Sequence, residues 1–209
     1  MTMLFLVSVL GMMAAVPIHF LSVEHSKLEE RYGQEKGRTA GNILGMISGW
    51  SFFSFWVGIW ISSQPRFSIP VLPEFVVIIS ISGLAIPVVH IVIGLPLLFV
   101  GAWFGIAGVK EITLRASETH RSEIIIKTGV YSNVRHPQYL GGIVSHLGVT
   151  LLLCAWYALL VTPLIVSLNY AVSWKEEREL AREYGNEYRE YQRSVPMMVP
   201  RIRGHKAGR

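Results

Sequence analysis

The sequence predicts an all-α integral membrane protein of about five transmembrane helices, with a C-terminal helical hairpin and a cytoplasmic amphipathic tail helix. Three observations predict it. Hydrophobic residues make up 51% of the 209 and charged residues only 16%, too apolar for an ordinary soluble domain. The apolar residues gather into runs of the length that a bilayer core of about 30 Å requires. The 19 Lys and Arg fall between those runs: four in 24–40, one in 62–73, five in 110–137 and nine in 174–209. If basic loops stay inside, only 62–73 and the N-terminus face outward, and everything else polar is cytoplasmic. The same placement turns the net charge of +5 into a signal of topology and anionic-lipid contact, and no nucleic-acid partner is expected.

Met1–Leu21 is almost uncharged and lacks the basic start and small-residue cleavage site of a secretory signal, so it reads as a retained first span bent at Pro17. Glu24–Arg38 reads as a charged loop, with room for a short surface helix, ended by Gly37 and Gly41. Asn42–Ile61 is the second span, with Trp60 near an interface. Glu74–Val109 is too long for one helix and short for two. The charge distribution demands an odd number of crossings between Pro73 and Lys110, which predicts one span at about Ile86–Val109 preceded by an interfacial or re-entrant piece over Phe75–Gly83. Gly94, Gly101, Gly105 and Gly108 give that span a face for close helix packing. Gln138–Ala155 and Tyr157–Val172 form the hairpin, with Pro163 and Asn169 expected to interrupt its second arm. In the tail, Trp174, Ala181, Tyr184, Tyr188, Tyr191 and Val195 fall on one helical face, and Gly185-Asn186 is expected to break the helix in two.

Polar chemistry concentrates in two places. The stretch Lys127–Gly141 runs a basic loop into an apolar helix. Pro137 suits the first helical position, because it has no N–H to leave unpaired there. His136 is then the N-cap, and the helix start offers N–H groups and a positive dipole end to an anion. Downstream, Glu176, Glu177, Leu180, Tyr184, Gly185, Glu187, Tyr188 and Tyr191 follow the second hairpin arm. Together, Arg-His-Pro-x-Tyr-x-Gly, Gly148, the hairpin and Glu-Glu-x-x-Leu-x-x-x-Tyr-Gly-x-Glu-Tyr-x-x-Tyr resemble the isoprenylcysteine carboxyl methyltransferase and phospholipid methyltransferase superfamily over roughly 123–200.

The resemblance implies a single membrane methyltransferase domain over 1–209, with N-terminal spans in 1–110 and a cofactor-binding catalytic part in 111–200. The cofactor it implies is S-adenosylmethionine, taken from the cytoplasm, and the acceptor a lipophilic molecule drawn from the bilayer. By the same resemblance Glu123, Ile124, Ile125, Ile126, Tyr131, His136, Pro137, Gln138 and Tyr139 align with cofactor-contacting positions. Glu176 aligns with the glutamate that holds the cofactor's polar end, and Glu177 stands beside it. Arg135 and Tyr139 are the catalytic candidates. The family often places an arginine four residues before the first glutamate to clamp an acceptor carboxylate; here that position is Val172. Arg135 or Lys175 could substitute, and an amine, thiol or phenol acceptor is an alternative to a carboxylate. A phospholipid N-methyltransferase, a small-thiol S-methyltransferase, an NADPH-dependent sterol-type reductase and a non-enzymatic scaffold are the rival functions. The seven histidines show no metal-ligand spacing, so no metal is expected. His90 and His146 lie in apolar runs, where an ionisable side chain is a functional hypothesis by default; for His90 a satisfied interior role is preferred. The single cysteine, Cys154, reads as a small buried hydrophobe.

Overall fold

The computed structural model describes residues 2–70, 75–79, 83–112 and 125–200. They are helical apart from one short hairpin of strands. Helix α1 (Met3–Ser22) carries Pro17 within it. α2 (His25–Tyr32) and α3 (Gln34–Ile61) follow, then strands β1 (Val76–Ile79) and β2 (Leu84–Pro87) and α4 (Val88–Ile112). A 3₁₀ turn over Gly129–Ser132 leads to α5 (Pro137–Leu152), α6 (Trp156–Leu160), α7 (Thr162–Glu183) and α8 (Asn186–Ser194). Three of these, α1, α3 and α4, are long and apolar enough to cross a membrane.

Two predicted stretches differ. The expected loop over 24–38 is helix almost throughout: α2 is broken from α3 only at Gly33, whose φ of 81° is open to glycine. The second span therefore begins at Gln34 rather than Asn42. Gly37 does not end the loop; a Cβ there would lie 2.5 Å from the backbone of Glu29, so its bareness lets α2 fold back along α3. Val76–Ile79 and Leu84–Pro87 are β-structure, antiparallel with Val76 opposite Pro87 and Ile79 opposite Leu84. Their β-branched run and the turn at Gly83 (φ 64°) favour strands over helix. α4 then starts right after Pro87, as a proline boundary dictates.

The glycine face of α4 packs as predicted. A Cβ on Gly148 would stand 2.6 Å from the Leu98 amide nitrogen, and one on Gly141 2.6 Å from the Gly101 carbonyl oxygen. Backbone thus meets backbone between α4 and α5. Cys154 turns the chain at φ 53° between α5 and α6 and is buried. Pro163 sits in the first turn of α7. Asn169, expected to interrupt that arm, does not: its side-chain amide donates to the Ile165 carbonyl at 2.8 Å and the helix continues. The break at Gly185 occurs where expected, with φ 57°.

The helix ends sort into two groups. At one end, the close of α1 meets α7 through Glu24 and Lys175, and Gly108 of α4 abuts Pro137 and Gln138 of α5. At the other, Phe5 packs at a tilt against Tyr157 with centroids 5.2 Å apart, Gln64 accepts from the Ala158 amide at 2.9 Å, and Arg66 donates to the Ala85 carbonyl at 2.6 Å. Between them lies a core of Phe5, Met12, Trp56, Ile59, Ala158 and Ile165. Many large apolar side chains face outward, among them Trp50, Phe53, Val92, Phe99, Trp103 and Ile106, as a lipid-facing surface requires.

Candidate active site

The polar cluster forms where α5 begins. His136 caps α5 with Pro137 at its first position, and α7 runs unbroken from the apolar arm into Glu176 and Glu177. The two short motifs are thereby brought face to face. The Arg135 guanidinium grips Glu177 with two parallel bonds, Nε to Oε1 at 2.6 Å and Nη2 to Oε2 at 2.9 Å, the geometry that makes this pair strong. Its third nitrogen donates to the carbonyls of Gln192, at 2.9 Å, and Val195. The amides of Arg135 and His136 donate to the carbonyls of Pro196 and Met197, each at 3.0 Å. The chain after α8 is in this way laced onto the loop before α5.

His136 lies between the two glutamates, Nε2 3.2 Å from Glu177 Oε1 and Nδ1 3.5 Å from Glu176 Oε2, with its ring stacked on Tyr139 at 5.7 Å. Tyr139 donates its hydroxyl to Glu176 Oε1. The same oxygen faces His19 Nε2, 3.1 Å away on α1. Burial raises the Glu177 pKa, but the hydrogen bonds from His136 and Arg135 outweigh it and hold the carboxyl down at about 2. Gln192 adds a further donor to Glu177 at 2.9 Å.

On the flank, Tyr131 is buried beneath the tail. Tyr191 donates to its carbonyl at 2.6 Å, and Gln138 reaches its hydroxyl at 3.4 Å. Burial pushes the phenols of Tyr131, Tyr188 and Tyr191 above their ordinary range, so all three are neutral donors. Ile125 packs with Leu180, Tyr184, Tyr188, Tyr191 and Val195, and Ile126 is half-buried beside it. Glu123 and Ile124 lie outside the described residues. The tail stripe is therefore real from Leu180 onward. Trp174 is not on it: it is 45% exposed, with Arg178 over its ring at 4.7 Å.

The cluster opens into a cavity of about 690 Å³ bounded by α1, α3, α4, α5 and α7. Its walls are overwhelmingly apolar, including Trp50, Phe53, Trp56, Ile106 and Val109, and its polar rim holds His19, Lys110, Gln138 and Tyr139. Val172, where the family often carries its arginine, is part of this apolar lining. Neither suggested substitute stands in for it here. Arg135 is committed to Glu177, and Lys175 to Glu24 and Glu179.

Two other histidines are structural. His146 accepts from the indoles of Trp56 and Trp60 through Nδ1, at 2.9 and 3.0 Å, which leaves Nε2–H to donate to the Ala158 carbonyl at 3.1 Å. His90 accepts from the Ile69 amide at 3.0 Å and faces the Leu151 carbonyl at 2.9 Å, the satisfied interior role preferred for it. Sequence reasoning passed over His19 and Gln192. His19 lies inside the apolar run of the first span, and the rule that singled out His90 and His146 applies to it equally. Gln192 carries no such signal.

The comparisons with known proteins agree with this architecture. The Phospholipid methyltransferase family model matches residues 89–187. Relatives named protein-S-isoprenylcysteine O-methyltransferase include that of Schizosaccharomyces pombe, 32% identical over 104 residues covering 46% of this chain and 41% of the relative. The Homo sapiens protein of that name is 33% identical over 99 residues, 43% of this chain and 31% of its own. That of Saccharomyces cerevisiae is 36% identical over 87 residues, 38% and 34%. The chain thus spans well under half the length of the relatives it matches. No solved structure matches. The family match takes in nearly all of α4, the whole of α5, the cluster at 135–139 and both glutamates, so it is this part of the chain that is similar to the phospholipid methyltransferase family and to the protein-S-isoprenylcysteine O-methyltransferases.

Proposed function

We propose that this protein is a membrane-embedded S-adenosylmethionine-dependent methyltransferase acting on a lipophilic acceptor, most like a protein-S-isoprenylcysteine carboxyl O-methyltransferase. The observation that carries the reading is the meeting of two unlike spaces: the Arg135–His136–Tyr139–Glu176–Glu177 cluster and the large apolar cavity share Tyr139 and His19 as their boundary. A water-soluble donor and a bilayer-soluble acceptor require that arrangement. The chain's residues suit the donor. Glu176 offers a carboxylate for an ammonium group, the first turn of α5 presents N–H groups without intrahelical partners, and the stacked His136 and Tyr139 rings form an aromatic wall that favours a cation. The donor would supply a methyl group on a sulfonium. Tyr139, His136 and Glu176 would orient it in line with the acceptor, and the tail's tyrosine stripe would keep water out.

A carboxylate acceptor is already ionised at neutral pH and needs no base, so positioning would account for most of the rate. A second reading of the acceptor is favoured by Val172 in the cavity wall and by the commitment of Arg135 to Glu177. With no guanidinium there to grip a carboxylate, an amine or a thiol acceptor fits as well. We read Arg135 as a positioning residue that locks α7 and the tail onto α5. The grouping of the helix ends supports five crossings, formed by α1, α3, α4, α5 and α6 with the first part of α7. The cluster would then lie on the cytoplasmic side and β1–β2 at the outer interface.

Methyl-label transfer from S-adenosylmethionine into prenylated cysteine, phospholipid and lipophilic thiol acceptors tests the function and separates the acceptors. Label in none of them, with no binding of S-adenosylmethionine, would overturn the reading. Glu176→Gln and His136→Ala are expected to weaken donor binding by roughly tenfold or more, the worth of a charge-assisted hydrogen bond, as isothermal calorimetry would measure.

A further inference from the structure

His19 stands in the last turn of α1, far ahead of the family-matched segment. Its side chain is only 6% exposed, and Nε2 is 3.1 Å from Glu176 Oε1. Tyr139 of α5 donates to that same oxygen, while His136 faces the other at 3.5 Å. The Glu176 carboxylate is therefore held from three directions, by α1, by α5 and by the cap before α5. A buried carboxylate takes its orientation from such partners, and removing one lets it swing toward those that remain. α1 is tied to the adjoining residue as well, since Glu24 pairs with Lys175. This second tie holds the helix in place without touching Glu176.

We propose that His19 is a positioning residue for the methyl-donor site: it orients Glu176, so that α1 completes a site whose donor-facing residues, Tyr139, His136 and Glu176, lie in the family-matched segment. The inference rests on the reading of Glu176 as a donor-holding group. It gives the N-terminal helix a part in donor binding beyond that of an anchor.

The test measures S-adenosylmethionine affinity by calorimetry on the purified full chain in lipid nanodiscs, with thermal unfolding as a parallel readout. His19→Ala removes the ring nitrogen that lies 3.1 Å from Glu176 Oε1 and is expected to weaken binding about tenfold, the scale of losing a polar contact to a buried charge. His19→Gln, which keeps a side-chain N–H of similar reach, is expected to recover most of the loss. Glu24→Gln cuts the second tie and is expected to lower stability slightly while leaving affinity within about twofold, the scale of a partly exposed ion pair. If His19→Ala does not fold, His19→Asn takes its place as the shortened donor. Unchanged affinity in the His19 variants alongside weakened binding in Glu176→Gln would overturn the inference and spare the site. An equal loss in Glu24→Gln and His19→Ala would overturn it too, because docking alone would explain both. Wild-type affinity in Glu176→Gln would overturn the site reading itself, and the inference with it.

Discussion

Four histidines are buried among the described residues, and they divide by what they face. Deep in the bundle and toward the end that holds β1 and β2, His146 and His90 are met by indoles, a backbone amide and carbonyls, all neutral groups. At the end where α5 begins, His19 and His136 are met by the carboxylates of Glu176 and Glu177. The first arrangement satisfies every ring nitrogen at low cost and ties helices together. The second gathers charge under cover, which is expensive unless each charge is paired and is the kind of expense that active sites carry. Burial alone does not separate a structural histidine from a functional one; the charge of its partner does.

Substitutions sharpen that division. The largest effect is expected from Arg135→Leu, which strands Glu177 among buried neighbours: about 3–5 kcal/mol of stability, the usual cost of halving a buried ion pair, read by thermal unfolding in detergent. A loss under about 1 kcal/mol would mean that the clamp is solvated and the contrast overstated. His146→Leu orphans two indole N–H groups and is expected to cost about 2–4 kcal/mol, while S-adenosylmethionine affinity per folded molecule is expected to stay as in the wild type. A selective loss of binding in that variant would erase the distinction between the two ends.

The pH response should follow the charged end. The Glu177 carboxyl is held at about 2, below its ordinary 4.5. Its stabilising contribution is therefore complete above the ordinary value and is lost as pH falls toward 2. The stability difference between wild type and Glu177→Gln should shrink steadily on acidification from pH 5 to pH 2, and a constant difference would show that the pair does not form. The smallest effect belongs to Glu24→Gln, at most about 1 kcal/mol for a peripheral pair.

What could be read from the sequence was local. Pro137 sets the start of α5, Gly185 breaks the tail, and the glycines of α4 mark its packed face, because each acts through its own backbone or its own helix. The site residues were legible only where two short motifs lay in the right order. The reach from His19 to Glu176 and from Arg135 to the carbonyls after α8 depends on how distant helices dock, and no periodicity records that. The helical character of 25–41 was hidden by its charge, which resembles that of a loop. The hairpin at 76–87 was hidden by its apolarity, which strands and membrane segments share. The chain's departure at Val172 was visible as a missing arginine, but its place in the cavity wall was not.

The backbone contact between α4 and α5 bears on how such a protein could change its substrate. One wall of the cavity, formed by Gly101, Gly105, Gly141 and Gly142, is main chain with nothing to trim. A side chain added at Gly101 or Gly141 pushes α4 and α5 apart, and with α5 the polar cluster at its start. The facing wall, with Trp50, Phe53 and Trp56 of α3, is made of side chains. Trp56 also anchors His146, which leaves Trp50 and Phe53 as the positions where bulk can be exchanged without moving the chemistry. The cavity's shape is thus adjustable from one side only, and that side is α3, which lies outside the matched segment.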